Sequence, residues 1–164
     1  MLTRCLAVLT SVIALLNVPD VQAQAPRDWQ RAARAAVYHF GKGYAVASIN
    51  SALPATVRKS VVGALEQRVA SVAGSRITWI VSVEAPQKPI LVNLLITRPG
   101  HLLLQDIHLG QSTVAEIVAK LGEPDKRGSD TLSYQGLAEI CSDSFTFTFK
   151  SGKLSELKWD WCSD

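Results

Sequence analysis

The stretch that decides the fold opens with residues 111–124, which read QSTVAEIVAKLGEP. Thr113 and Glu116 form a T-x-x-E capping box, because each side chain can satisfy a backbone N–H that the first helical turn leaves free. Gly122 permits a left-handed conformation at the end of a helix, and Pro124 prevents the helix from continuing. The apolar residues between these ends share one helical face; they are Val114, Ile117, Val118 and Leu121. We therefore predict an amphipathic helix over residues 114–121.

The same stretch continues to Cys162 and predicts three short strands, the last two of them a hairpin. Phe145, Phe147 and Phe149 alternate with threonines, which is the period of a half-buried strand. Two pairing registers are open. With a two-residue Ser-Gly turn, the phenylalanines and the apolar residues of the returning strand, residues 153–161, lie on different faces of the sheet. With a three-residue loop and Gly152 as a bulge, they lie on the same face. We predict the second register, because it gives the sheet one hydrophobic face.

Trp159 and Trp161 on the returning strand have two alternative roles. As an exposed pair they would form a partner-binding patch. As a buried pair they would pack against the helix over residues 114–121. We predict the buried position, because large aromatic side chains are mostly buried in folded proteins.

The N-terminal segment has the layout of a secretory signal peptide. Arg4 precedes an apolar run over residues 5–16, and Val21-Gln22-Ala23 is a small-residue cleavage site. The apolar run is too short to span a bilayer comfortably, and an uncleaved anchor is the alternative. We predict that residues 1–23 are a signal peptide, so that no transmembrane segment follows cleavage. Cys5 precedes the cut and is therefore not expected to accept a lipid.

Removal of the signal peptide would leave two cysteines, Cys141 and Cys162. An even pair in an exported chain is typical of a disulfide, and no histidine cluster accompanies the pair as a zinc site would require. In the predicted register the two residues fall on opposite faces of the sheet. The predicted disulfide therefore requires the strand pairing to end near Ser142-Asp143; two free thiols or a metal pair are the alternatives.

Charge is divided along the chain. Residues 27–100 carry ten Lys/Arg against three Asp/Glu, whereas residues 101–164 carry six against ten. One explanation is a basic face that binds lipid headgroups or an acidic partner. The other is that the two halves neutralise each other in one fold, and we favour this second explanation. We do not expect a nucleic-acid partner, because the aromatic residues do not interleave with the basic ones and the compartment is wrong.

The N-terminal region, residues 24–100, predicts two helices followed by a hairpin. The first helix ends at Gly41-Lys42-Gly43, and its apolar face comprises Trp29, Ala33, Ala36, Val37 and Phe40. Pro54 can open the second helix, whose apolar stripe comprises Val57, Val61, Leu65, Val69 and Val72. Strands over residues 76–83 and 90–97 follow, joined by a proline-bounded loop. The second strand is apolar on both faces, which predicts a central position with cover on both sides.

These elements together predict an α+β fold. Helices pack on an antiparallel sheet, and in the C-terminal unit, residues 101–164, one helix precedes a three-stranded meander.

Several motifs follow one another in the C-terminal unit. They are Leu109-Gly110-Gln111-Ser112-Thr113, Leu121-Gly122-Glu123-Pro124, Tyr134 and Phe147-x-Phe149-x-x-Gly152-Lys153-Leu154. In this order they resemble the SmpA/OmlA domain of outer-membrane assembly lipoproteins, and they are equally similar to the related repeat of β-lactamase inhibitory proteins. The resemblance implies helices packed on a small antiparallel sheet, and a protein that acts by binding other proteins. Two departures are the missing lipid-acceptor cysteine and the N-terminal region, for which one copy of the domain does not account.

Residues that could carry chemistry are sparse. The three histidines, His39, His101 and His108, are too widely spaced to share a metal, and neither a G-x-S-x-G nor an H-E-x-x-H motif occurs. Carboxylates at Glu123, Asp125 and Asp130 are interleaved with basic residues, which is typical of a solvated turn. We predict no catalytic residue, no metal site and no cofactor.

The predicted function is therefore that of an exported, non-enzymatic, protein-binding module in the periplasm or outside the cell. Its partner would be another envelope or secreted protein, in envelope assembly or in an inhibitor or immunity role. Lys126, Arg127 and Tyr134 are the predicted partner-contact residues. One alternative is a small-ligand or lipid-binding protein, with a pocket between the N-terminal helices and the strand over residues 90–96. Another is a hydrolase whose site is assembled from distant residues.

Overall fold

The computed structural model describes residues 25–100, 106–138 and 141–162, so the predicted signal peptide lies outside the described residues. The helices are α1 (Ala25–Ser51) and α2 (Val114–Leu121), with a single 3-10 turn at Pro54–Thr56. The strands are β1 (Arg58–Val62), β2 (Leu65–Val72), β3 (Ser75–Ser82), β4 (Ile90–Ile96), β5 (Lys126–Arg127), β6 (Thr131–Gln135), β7 (Ser144–Lys150) and β8 (Lys153–Asp160). All of them belong to one antiparallel sheet in the order β1-β2-β3-β4-β8-β7-β6-β5.

The predicted α+β class is wrong, because the described chain is β-rich: an eight-stranded sheet with two α-helices. The C-terminal strands are not a separate three-stranded meander. They continue the N-terminal strands, since β4 pairs with β8 and sets Leu94 opposite Trp159 and Ile96 opposite Leu157. The buried side chains of both regions form one hydrophobic cluster under the helices.

The predicted second helix is also wrong, because residues 58–72 form the hairpin β1–β2. Val62 pairs with Leu65 across a two-residue turn in which Gly63 has a φ of 61°, and hairpin turns of this length favour such positive values. The valines that suggested a helical stripe are β-branched residues, which fit a pleated strand better than a helix. The predicted strands over residues 76–83 and 90–97 are confirmed as β3 and β4, paired in a hairpin.

Helix α1 does not end at Gly41-Lys42-Gly43 but continues to Ser51. Its buried face includes the first glycine, follows i, i+3 and i, i+4 spacings, and comprises Ala33, Val37, Tyr38, Gly41, Ala45 and Ser48. A Cβ at Gly41 would collide with the indole ring of Trp159, so glycine serves close packing there rather than helix termination. Trp29, which the sequence predicted on the buried face, is 48% exposed.

The predicted helix over residues 114–121 is confirmed as α2, and the capping box at its start is formed as expected. The Thr113 N–H donates to Glu116 Oε2 at 2.7 Å, and the Glu116 N–H donates to Thr113 Oγ1 at 3.3 Å. Gly122 ends the helix as predicted and has a positive φ of 77°, but its ψ of −174° lies outside the left-handed helical region. Its N–H donates to the Val118 carbonyl at 2.8 Å.

The shared hydrophobic face of β7 and β8 is confirmed, although the bulge is not at Gly152. The predicted three-residue loop is wrong, because Ser151-Gly152 form a two-residue turn. The register shifts after the pairs Lys150–Lys153 and Phe149–Leu154, so that Ser155 is the extra residue. Beyond this bulge Phe147 pairs with Leu157 and Phe145 pairs with Trp159, all of them buried. Trp159 of β8 and Trp161, directly after its end, are both in the core as predicted. Trp159, however, lies beneath α1, where its ring centroid is 6.4 Å from that of Phe40.

Strand β4 has the predicted central position but not the predicted cover on both sides. Leu94 and Ile96 are buried in the core, whereas Asn93 and Leu95 on the opposite face are half-buried. This outer face meets no helix in the described parts of the chain, and polar residues such as Thr146, Thr148 and Lys158 continue it across the C-terminal strands. One face of the sheet therefore carries the core and the other faces outward.

Candidate functional site

Arg34 of α1 holds the C-terminal end of α2 in place. Its Nε donates to the Leu121 carbonyl at 2.7 Å, and its guanidinium also donates to the Glu123 carbonyl. Backbone carbonyls at a helix end have no partner within the helix, so these bonds satisfy groups that the fold would otherwise leave to solvent. Arg34 also pairs with Asp125 at 3.6 Å, which joins the basic and acidic halves of the chain at one point.

Tyr134, one of the predicted contact residues, lies directly beneath this arginine and is fully buried. The Arg34 guanidinium carbon is 4.9 Å from the centre of the Tyr134 ring, and the Tyr134 hydroxyl donates to the Gly122 carbonyl at 3.0 Å. Burial raises the pKa of Tyr134 to about 12, and the nearby Arg34 charge opposes this rise. In this position the ring supports the turn after α2, and its surface is not available to a partner.

Lys126 and Arg127, the other two predicted contact residues, form the edge strand β5 and are exposed. Arg127 pairs with Glu123 at 3.1 Å. Lys126 lines an open hollow of about 310 Å³ together with Asp125, Tyr134 and Asp143. Lys126 and Tyr134 therefore line the same hollow, but Lys126 is exposed at the surface whereas Tyr134 is buried beneath it.

The predicted disulfide between Cys141 and Cys162 is present, with a Cα–Cα distance of 6.0 Å. The expected conflict between the two faces does not arise, because β7 begins only at Ser144 and Cys141 lies outside the paired strands. Asp143 is buried beside this bridge and accepts hydrogen bonds from the Tyr38 hydroxyl and, at 3.1 Å, from the Ala138 N–H. Sequence reasoning missed this carboxylate, since a single Asp two residues after a cysteine gives no signal of burial.

The carboxylates after α2 are engaged with cations and backbone groups. Asp125 Oδ2 accepts the Gln135 N–H at 2.8 Å in addition to its pairing with Arg34, and Glu123 is paired with Arg127. No group of three or more His, Cys, Asp or Glu side chains that could hold a metal ion occurs among the described residues. His101 lies outside them.

The edge strand β1 has an exposed apolar surface that sequence reasoning did not find. At the end where β1 turns into β2, the side chains of Val61, Val62, Leu65 and Val83 are 59%, 77%, 48% and 56% exposed. Val83 lies beside the turn, since its N–H donates to the carbonyl of Ala64 at 3.0 Å. We call these four residues the hairpin-end patch. They are four of the nine large apolar side chains exposed in the described residues. They meet at one end of the hairpin, where Val62 and Leu65 pair on one face of the sheet and Val61 lies on the other face.

The two edges of the sheet differ in kind. Every residue of β1 is exposed, and one side of its backbone meets no strand in the described part of the chain. The opposite edge, β5, has two residues and both are basic, which protects an edge against further pairing. The uncharged run Val61-Val62-Gly63-Ala64-Leu65 could have indicated an exposed apolar hairpin. The sequence analysis did not find it, because it predicted a helix over these residues.

No protein-family model, no curated protein and no solved structure matches this chain. The resemblance of the C-terminal unit to SmpA/OmlA domains and to β-lactamase inhibitory proteins therefore stays a prediction. Neither α-helix of the described residues combines the length and the apolar character that crossing a bilayer requires.

Proposed function

We propose that this protein is an exported, non-enzymatic module that binds an extended segment of another envelope or secreted protein at the edge strand β1. The observation that carries the proposal is the hairpin-end patch on an unpaired edge. An exposed edge strand offers backbone donors and acceptors to an incoming strand, and apolar side chains beside it supply affinity.

The residues of β1 also suggest the chemistry of the segment. Arg58 and Lys59 occupy the start of the strand, and Val61 and Val62 occupy its end. A matching segment would place acidic residues beside the first pair and apolar residues beside the second. This arrangement would give both register and charge complementarity to the pairing.

The compartment is proposed on two features. The predicted signal peptide directs export, and a disulfide is expected to persist in the periplasm or outside the cell but rarely in the cytosol. Whether the partner takes part in envelope assembly, or is a secreted enzyme or toxin that the protein inhibits, depends on which segment fits β1.

The test is capture of partners from the envelope fraction with three baits: wild type, Val62→Lys and Val46→Lys. Val46 is 47% exposed on α1, so its substitution is a matched control outside the patch. A lysine at Val62 protects the edge by adding a charge, and we expect it to weaken binding of the recovered partner by about tenfold or more. Val46→Lys should stay within about twofold of wild type. Hydrogen exchange on the complex should then protect the β1 amides.

A partner that binds Val62→Lys and Val46→Lys equally well, and leaves the β1 amides exchanging freely, would contradict the proposal. The double reversal Lys126→Glu with Arg127→Glu tests the contact residues predicted from the sequence. We expect these two residues to act through charge at a distance, with a loss of about threefold that salt abolishes. A loss that exceeds the loss in Val62→Lys would move the binding site to β5.

A further inference from the structure

A second concave site lies on the inner side of the sheet, where the end of α1 overhangs β1 and β3. It is a groove of about 380 Å³, within the size range of small-molecule sites. Its lining includes Ile49, Ala52, Val57, Lys59, Arg68 and Trp79. The hairpin-end patch contributes no residue to this lining, although Lys59 belongs to β1 and is therefore shared with the proposed protein-binding edge.

The base of the groove is apolar. Trp79 is only 3% exposed, and Ile49, Ala52 and Val57 pack against the same hydrophobic cluster. Prolines at 54, 86 and 89 form parts of the rim, and their fixed backbone limits how far the rim can collapse. The groove thus presents preformed apolar surface to an incoming molecule.

The polar side of the groove has an excess of positive charge. Lys59 Nζ lies 3.6 Å from Glu66 Oε1, and Arg68 Nε donates to the same oxygen. The hydrogen bond from Arg68 holds the pKa of Glu66 below its usual value, so Glu66 is ionised at neutral pH. Two cations therefore share one carboxylate, and the groove retains one net positive charge.

We propose that this groove binds a small amphiphile that carries one negative charge. The hydrocarbon part would lie over Trp79, and the anionic head would reach Lys59 and Arg68. Burial of the chain supplies affinity in proportion to its apolar area. The head would complete a pairing in which the two cations are matched by two anions, Glu66 and the ligand, and charge-assisted bonds of this kind fix orientation.

The test is a titration of the purified, disulfide-bonded protein with octanoate, followed by 15N NMR. Octan-1-ol and octylammonium serve as neutral and cationic probes with the same chain. We expect octanoate to shift the Trp79 indole N–H and the Val57 amide saturably. Octan-1-ol should bind at least about tenfold more weakly, because it lacks the charge, and octylammonium should cause no shift at these groups.

The matched variants are Lys59→Met and Lys88→Met. Both remove one lysine from the same end of the molecule, but Lys88 does not line the groove. Lys59→Met should weaken octanoate binding by about tenfold, whereas Lys88→Met should leave it within about twofold. Equal affinity for octanoate and octan-1-ol, equal effects of the two variants, or shifts confined to the hairpin-end patch would each overturn the proposal. Lys59 lies on β1, so partner binding is tested separately with Val62→Lys, whose site does not line the groove.

Discussion

At the scale of single residues, the buried carboxylate of Asp143 joins α1 to the segment beside the disulfide. Its Oδ2 accepts the Tyr38 hydroxyl, and both residues are nearly fully buried. Tyr38→Phe removes the donor but not the carboxylate, so a buried polar group loses a partner. We expect a loss of about 1–3 kcal/mol in the free energy of unfolding, measured from urea denaturation.

A double-mutant cycle separates this bond from other effects of the tyrosine. Tyr38→Phe and Asp143→Asn should each destabilise the protein, and the double variant should be more stable than the sum of the two losses predicts. Strictly additive losses would mean that the two side chains do not act together.

Glu116 gives the capping box a defined dependence on pH. The hydrogen bond from the Thr113 N–H is the main cause that lowers the pKa of Glu116 below 4.5. A carboxylate with a depressed folded pKa stabilises the fold above its unfolded pKa, and the contribution disappears as the pH falls through the folded value. We therefore expect wild type to melt at a higher temperature than Glu116→Gln at pH 7, and we expect this difference to shrink as the pH is lowered below 4.5.

The control for this comparison is Glu156→Gln on β8, whose carboxylate has no hydrogen-bond donor in the described parts of the chain. This substitution should give a difference from wild type that changes little over the same pH range. A Glu116→Gln difference that persists unchanged at pH 3 would show that the box stabilises α2 by some means other than the charge of Glu116.

At the scale of elements, α1 contains two glycines with opposite surroundings. A Cβ at Gly41 would collide with the Trp159 ring, whereas a Cβ at Gly43 would meet nothing within 4 Å. Gly43→Ala should stabilise the protein by about 1 kcal/mol through helix propensity. Gly41→Ala has the same gain, but overpacking costs about 1–3 kcal/mol. The two variants should therefore differ by about 1–3 kcal/mol in urea denaturation, in favour of Gly43→Ala.

Each variant is the control for the other. Both replace a glycine of α1 by alanine, and the two positions are only two residues apart. Equal stability of the two variants would mean that α1 can move away from Trp159 without loss. A destabilising Gly43→Ala would instead mean that the exposed side of α1 contacts something outside the described residues.

The elements that the sequence predicted well are those whose signals are local. Both ends of α2 are marked by residues within its own turns, so Thr113, Glu116 and Gly122 sufficed. The hairpin β1–β2 depends on pairing with β3, and a valine stripe at i, i+4 spacing is compatible with a helix until that partner is known. The same limit explains Gly41, whose role depends on Trp159, more than 100 residues later in the chain.

At the scale of the whole molecule, the candidate sites follow from sheet order, which no local pattern contains. β1 is an edge because only β2 pairs with it. Tyr134 is buried because α1 packs over the C-terminal strands and sets Arg34 above the Tyr134 ring. The disulfide was predictable from cysteine parity and a predicted export signal, which are independent of topology. The binding surfaces were not predictable, since they arise where distant segments meet or fail to meet a neighbour.

The disulfide closes the last part of this sheet on itself. Cys141 and Cys162 are 21 residues apart, and the loop between them contains β7 and β8, of which β8 joins the C-terminal strands to β4. A cross-link that closes a loop of this length restricts the unfolded chain, and its removal is expected to cost about 3 kcal/mol.

Because β8 lies between the two halves of the sheet, weakening it should destabilise the fold as a whole rather than fray one end. We expect urea denaturation with dithiothreitol, or of the double variant Cys141→Ala with Cys162→Ala, to move to lower urea as a single transition by fluorescence and by circular dichroism alike. Two separated transitions would mean that β1–β4 remain folded after the C-terminal strands have opened, and that the β4–β8 pairing does not couple the two halves.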